Sequence, residues 1–124
     1  MAPRGSVVLV IPPLRHWERA VLLAELAERG QDVVGMESLD DLVRFRPEEA
    51  GHAPVGVVLV DREALADRPL STLRGRYPSA AFLLLTGHLS EVAAGPWRAV
   101  LMRPLSVGQV AETVATHMSA EVPA

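Results

Sequence analysis

The chain, 124 residues long, contains no cysteine. Disulfides, thiol catalysis and thiolate metal sites are therefore excluded. Lysine is absent too, so all 12 basic residues are arginine. Asparagine is also missing, which beside the many Ala, Gly, Pro and Arg residues reads as a GC-rich coding bias and carries no function. No apolar run approaches the roughly 20 residues that cross a bilayer. No secretory signal precedes the first strand, so the cytoplasm is the expected location. Acids and bases are interspersed at a net charge of −3, without a basic stripe or charged tail, which makes nucleic acid and anionic membrane poor partners. GxGxxG, P-loop, GxSxG and HExxH patterns do not occur, leaving the standard nucleotide, hydrolase and zinc readings without support. His16, His52, His88 and His117 share no metal-ligand spacing.

What is present is apolar residue: at 49% there is ample material for one core, and the length suits a single domain over residues 1–124. The polar ends, 1–5 and 119–124, are expected to be flexible. Ser6 to Ile11 reads SVVLVI, a strand buried on both faces that Pro12-Pro13 stops. Leu14 to Arg29 turns helical, with Trp17, Ala20, Val21, Ala24 and Ala27 recurring at helical steps as its inner face. Gly30 ends that helix in a left-handed turn. Asp32 to Met36 is a second strand. Ser38 caps a short helix whose apolar face is Leu39, Leu42 and Val43, and 48–54 is a loop. Val55 to Val60 is a third strand ending at Asp61.

A weaker helix covers part of Leu65 to Tyr77, with Pro69 in its first turn. Ala80 to Leu85 is a fourth strand ending at Thr86-Gly87. His88 to Arg98 holds at most a turn or two of helix. Ala99 to Met102 is the fifth strand, ended by Arg103-Pro104. Ser106 and Gln109 make a capping box for a last helix with Val107, Val110, Val114 and Met118 inward. Five buried strands alternating with helices imply a parallel, doubly wound α/β sheet covered on both faces. Ligands of such sheets bind beyond the carboxyl ends of the strands, which directs attention to Pro12, Pro13, Asp61, Thr86, Arg103 and Pro104.

At those positions the chain resembles the receiver domains of bacterial response regulators, over most of its length from Val7 to Met118. VVLVD ending at Asp61 resembles the strand that carries the phosphoryl-accepting aspartate. LLLTG ending at Thr86-Gly87 resembles the strand with the switch hydroxyl, and VLMRPL resembles the strand with a lysine-proline pair, here Arg103-Pro104. The resemblance implies a flavodoxin-like five-stranded sheet and a cis bond before Pro104. It also implies a phosphoacceptor position at Asp61 and switch positions at Thr86, Arg103 and Pro104.

The departures bear on function. Where the family has two magnesium-binding acids after the first strand, this chain has Ile11, Pro12 and Pro13. Magnesium wants oxygen ligands, and Asp61 with Glu63 as a helper is a poor cage. Arginine at 103 offers a planar fork in place of a point charge. The family's readout aromatic is Val100, and the region between strands 4 and 5 is shortened.

Asp61 keeps two readings, a phosphoacceptor or a carboxylate neutralised by Arg103 or Arg62; the lost acidic pair favours the second. Thr86 is either a switch hydroxyl or a plain strand-end threonine. His16 reads as a solvent-facing first-turn residue near the pocket mouth, and Trp17 as core. Trp97 is the candidate interaction residue, with a core role equally open. The expectation is therefore an atypical, pseudo-receiver-like signalling module of a two-component system, non-enzymatic and without cofactor. It would act on an unidentified protein partner, with a homodimer allowed for. Two alternatives stay open: a working phosphoacceptor with unusual metal ligands, and a small-ligand-binding or enzymatic flavodoxin-like domain holding an anion at Arg103.

Overall fold

A computed structural model describes residues 5–65, 70–87 and 95–119. The strands are β1 (Ser6–Val10), β2 (Asp32–Met36), β3 (Val55–Asp61), β4 (Ala81–Gly87) and β5 (Trp97–Arg103). They form one parallel sheet in the order β2-β1-β3-β4-β5. This is the doubly wound, flavodoxin-like arrangement, whose switch point lies between β1 and β3. The helices are α1 (His16–Glu28), α2 (Leu39–Arg44), α3 (Leu70–Arg76) and α4 (Val107–Ser119), with 3-10 turns at Pro13–Arg15 and Arg62–Ala64. Pro69, His88 and the polar ends 1–4 and 120–124 lie outside the described residues, as does most of the segment between β4 and β5. That segment spans only nine residues, from Gly87 to Trp97, whereas a parallel crossover commonly takes a dozen or more.

Two core layers sandwich the sheet. On one side Leu9, Ile11, Leu59 and Leu83 meet Leu22 and Leu26 of α1 and Val110, Ala111 and Val114 of α4. On the other, Val10, Val58, Val60 and Phe82 meet Leu39 and Leu42 of α2 and Leu73 and Tyr77 of the α3 region. The continuous β-branched runs follow from this double burial: β1 and β3 have no solvent face, so no polar alternation is tolerated.

Several local expectations hold at atomic detail. Ser38 accepts from the Asp41 N–H at 3.2 Å. Ser106 and Gln109 exchange both capping-box bonds, at 2.8 and 3.1 Å. Gly30 adopts φ of 85° after α1, a conformation that is strained for residues bearing a Cβ. Three strands run differently from expectation: β1 stops at Val10, while β4 reaches Gly87 and β5 begins at Trp97 and ends at Arg103.

The inner face of α1 is the main correction. Trp17, Ala20, Val21, Ala24 and Ala27 are all exposed, and the helix buries Leu22 and Leu26. Both stripes are apolar, but three of the five outward residues are alanines, whereas each leucine buries roughly 2 kcal/mol of side chain. The longer side chains therefore set the rotation. Trp97 is half-buried and packs on the second core layer, the core role that the sequence left open beside an interaction role. A Cβ on Gly95 would meet its indole nitrogen at 2.7 Å, so glycine lets the chain pass over the ring.

The start of β2 is tied down by charge. Asp32 accepts from His52 Nδ1 at 2.6 Å and from the Ala53 N–H at 2.8 Å, fastening the loop before β3. Burial works to raise its pKa, but the Ala53 and His52 hydrogen bonds outweigh it and hold the carboxyl below its ordinary value.

Two predictions test these placements. Leu26→Ala should cost about 2–5 kcal/mol in denaturant unfolding, against less than about 0.5 kcal/mol for Trp17→Ala. A folded-state pKa below the unfolded value stabilises above the unfolded pKa, and that stability is lost as pH falls. Asp32→Ala should accordingly cost about 1 kcal/mol at neutral pH, with the difference from the parent shrinking below about pH 4 in pH-dependent melts.

Candidate functional site

The carboxyl ends of β1, β3 and β5 converge on one buried carboxylate. Asp61 is only 1% exposed, and both its oxygens are engaged. Oδ1 accepts from the Glu63 N–H at 2.9 Å, which caps the 3-10 turn after β3. Oδ2 accepts from Arg103 Nη2 at 2.5 Å, while Arg15 Nε stands 3.7 Å away. A buried carboxylate without a cationic partner would cost several kcal/mol, so the pairing is a condition of the fold.

Arg103 is shared. Its Nη2 also meets Glu18 Oε1 at 2.6 Å, and its Nε donates to Glu18 Oε2 at 3.3 Å. Arg15 in turn donates to Glu63 Oε1 at 2.9 Å. The result is a continuous chain of ion pairs, Glu63–Arg15–Asp61–Arg103–Glu18, joining β3, β5, α1 and the turn before α1. Burial works to lower the Arg103 pKa, but the hydrogen bonds to Glu18 and then Asp61 prevail and make the guanidinium more basic than usual.

The residues singled out in the sequence divide into those in this site and those away from it. Asp61 and Arg103 are in contact. Pro12 and Pro13 shape the entry to α1: the Pro12 carbonyl accepts from the Arg15 N–H at 2.9 Å, and Pro13 opens the 3-10 turn. That turn carries Arg15 to the carboxylate, so the prolines act through geometry. The Arg103–Pro104 bond is cis. Thr86 is fully buried, and its hydroxyl has no hydrogen-bond partner among the described residues. His16 is exposed, with Nδ1 3.3 Å from the Pro13 carbonyl. Trp97 belongs to the opposite core layer, and Arg62 is exposed.

Glu18, Arg15 and Arg19 were missed as site residues. Glu18 lies four residues before Leu22, so the rotation that buries Leu22 also turns its carboxylate inward. Reading the opposite stripe as the inner face hid this. Arg19 extends the same pattern, donating from Nη1 to the Ile11 carbonyl at 2.5 Å.

Magnesium does not fit this donor set. Glu18 and Glu63 point at arginines, the carbonyl at the end of β1 is taken by Arg19, and Asp61 is enclosed by guanidinium groups. Among the described residues no group of three or more His, Asp or Glu side chains is placed to hold a metal. Two arginines bring positive charge to the Asp61 carboxylate.

No family model matches the chain, and no curated sequence matches it. Solved structures do. The signal receiver domain of a Luxo repressor protein from Vibrio parahaemolyticus has a TM-score of 0.69 at 17% identity, over 95% of this chain and 92% of its own. A response regulator from Thermotoga maritima has a TM-score of 0.64 at 15% identity, over 93% and 98%. A chain described as an adenylate cyclase from Rhodopirellula baltica has a TM-score of 0.73 at 17% identity, over 94% and 88%.

The fold is that of receiver domains. At these identities the likeness extends to the backbone, while activity rests on the side chains of the site. Among the described residues no helix is long and apolar enough to cross a membrane.

Removing one partner of the Asp61–Arg103 pair leaves the other unmatched, so the two losses should not add. Arg103→Met should destabilise by about 3–5 kcal/mol, because it leaves Asp61 buried beside a more distant cation. In Asp61→Leu/Arg103→Met the loss should be smaller than the sum of the single losses by at least about 1 kcal/mol, read from a double-mutant cycle of denaturant midpoints.

Proposed function

We propose that the chain is an atypical, receiver-like signalling module that works through protein–protein contact in the cytoplasm, without magnesium-dependent phosphorylation of Asp61. The observation that carries this reading is the occupation of the Asp61 carboxylate by Arg103 and the Glu63 N–H, with Glu18 fixing Arg103 from α1.

Phosphoryl transfer to a carboxylate needs a free oxygen in line with the phosphorus and positive charge that moves with the developing transition state. Here the Oδ2 lone pairs are directed at a guanidinium, and the side chain is almost wholly enclosed. A phosphodonor would first have to break a buried ion pair. The two arginines instead reproduce, permanently and inside one chain, the charge balance that a bound cation would give. On this reading the module has one electrostatic state, and its signal is presence, abundance or partner occupancy.

The alternative of a working phosphoacceptor with unusual ligands is disfavoured by the donor set around Asp61. Capture of a small anion at Arg103 is disfavoured because that guanidinium already serves two carboxylates. An enzymatic role has no catalytic constellation to support it among the described residues: the charged groups of the site are paired with one another, and the buried Thr86 hydroxyl has no hydrogen-bond partner there.

Incubation with acetyl phosphate and magnesium, read by intact mass, is the decisive experiment. No adduct is expected on the parent chain. Stoichiometric labelling that disappears in Asp61→Ala would overturn the proposal. Arg103→Lys serves as the informative variant, since a shorter-reaching point charge loosens the fork on Glu18 and Asp61 together.

A further inference from the structure

We propose that the outward face of α1 binds a second copy of this chain, with the two α1 helices packed antiparallel about a two-fold axis. The face is apolar and open. Leu14, Trp17 and Val21 are 83%, 62% and 43% exposed, in line with the exposed Ala20, Ala24 and Ala27. Three- and four-residue spacing keeps these side chains on one side of the 13-residue helix and its entry turn, a strip about 20 Å long. Scattered apolar residues on a surface need no explanation, but a contiguous strip on one helix does.

Size and charge together select the occupant. The bulky residues, Leu14 and Trp17, stand in the first half of the strip, and the small ones, Ala24 and Ala27, in the second. Antiparallel pairing centred between Ala20 and Val21 sets Trp17 against the second copy's Ala24, and Leu14 against its Ala27. Each large side chain then enters the space that a small one leaves. A parallel pair would oppose Trp17 to Trp17 and leave a void between the alanines.

Glu28 closes the strip at the end of α1, exposed and with no ion pair or hydrogen bond among the described residues. A carboxylate at a helix C-terminus is unfavourable, because the backbone dipole is negative there. The antiparallel arrangement carries Glu28 to the beginning of the other helix, where the dipole is positive and the exposed His16 stands. The same surface is thus complementary to itself in shape and in charge, which is what a two-fold interface requires.

A single-helix strip is smaller than the roughly 800 Å² per partner of standard interfaces, so the association is weak and reversible. It goes beyond the reading of the Asp61 pocket and does not depend on it, since none of the strip residues touches Asp61 or Arg103.

Sedimentation velocity of the whole chain from about 5 to about 500 µM, without phosphodonor, tests the proposal. The weight-average mass should rise from monomer towards dimer across that range. Trp17→Glu should remain monomeric while its circular dichroism and unfolding midpoint stay those of the parent. The chain has no native cysteine, so single-cysteine variants report geometry directly. Val21→Cys, beside the axis, should form a disulfide-linked dimer under mild oxidation. Ala27→Cys should not, because its counterpart lies about 20 Å away along the paired helices. A parent chain that stays monomeric throughout overturns the proposal. So does Trp17→Glu associating as the parent does, or Ala27→Cys linking as readily as Val21→Cys.

Discussion

Asp61 lies beside the switch point between β1 and β3, with its carboxylate almost fully removed from water, and a charge in that position must be matched. Arg103 matches it from the end of β5 at 2.5 Å, crossing over β4 to do so. One guanidinium beside one carboxylate would leave donors unused, and Glu18 takes them up from α1. The three side chains therefore pin a helix and two non-adjacent strands to a common point. Arginine suits this role because its planar fork serves two carboxylates at once and stays charged throughout the range in which proteins fold.

The orientation of α1 follows from the same point. Leu22 and Leu26 seek the core between the sheet and α4, and Glu18, one turn earlier on that side, seeks Arg103. Hydrophobic burial and ion pairing thus agree on one rotation of the helix. That rotation turns Trp17 and Val21 outward, together with the alanines, and creates the apolar strip. The Glu18–Arg103 pair and the exposed helix face are two consequences of one packing decision. Pro12-Pro13 contribute as well, since the prolines shape the 3-10 turn that brings Arg15 to the carboxylate.

A receiver fold without a metal-binding acid pair illustrates how fold and chemistry separate. The backbone keeps the strand order and the cis bond at Pro104, and Asp61, Thr86 and Pro104 hold their places at the strand ends. The Thr86 hydroxyl is buried with no hydrogen-bond partner among the described residues.

Strand positions, helix caps and the parallel sheet were legible in the residues themselves. β-branched runs, the Ser106–Gln109 box and Gly30 act over a few residues, and local sterics and hydrogen bonding decide them wherever they sit. The lack of carboxylates at Pro12-Pro13 was legible too, because a proline side chain carries no oxygen whatever surrounds it. The face of α1 was not, since its sequence offers two apolar stripes and only the shape of the core chooses the leucines. Glu18 and Arg15 were hidden for the same reason: nothing near them in the chain predicts an arginine 85 residues away or a carboxylate from another strand. Local chemistry wrote the elements; long-range burial decided which charges meet and which apolar face is left to the solvent.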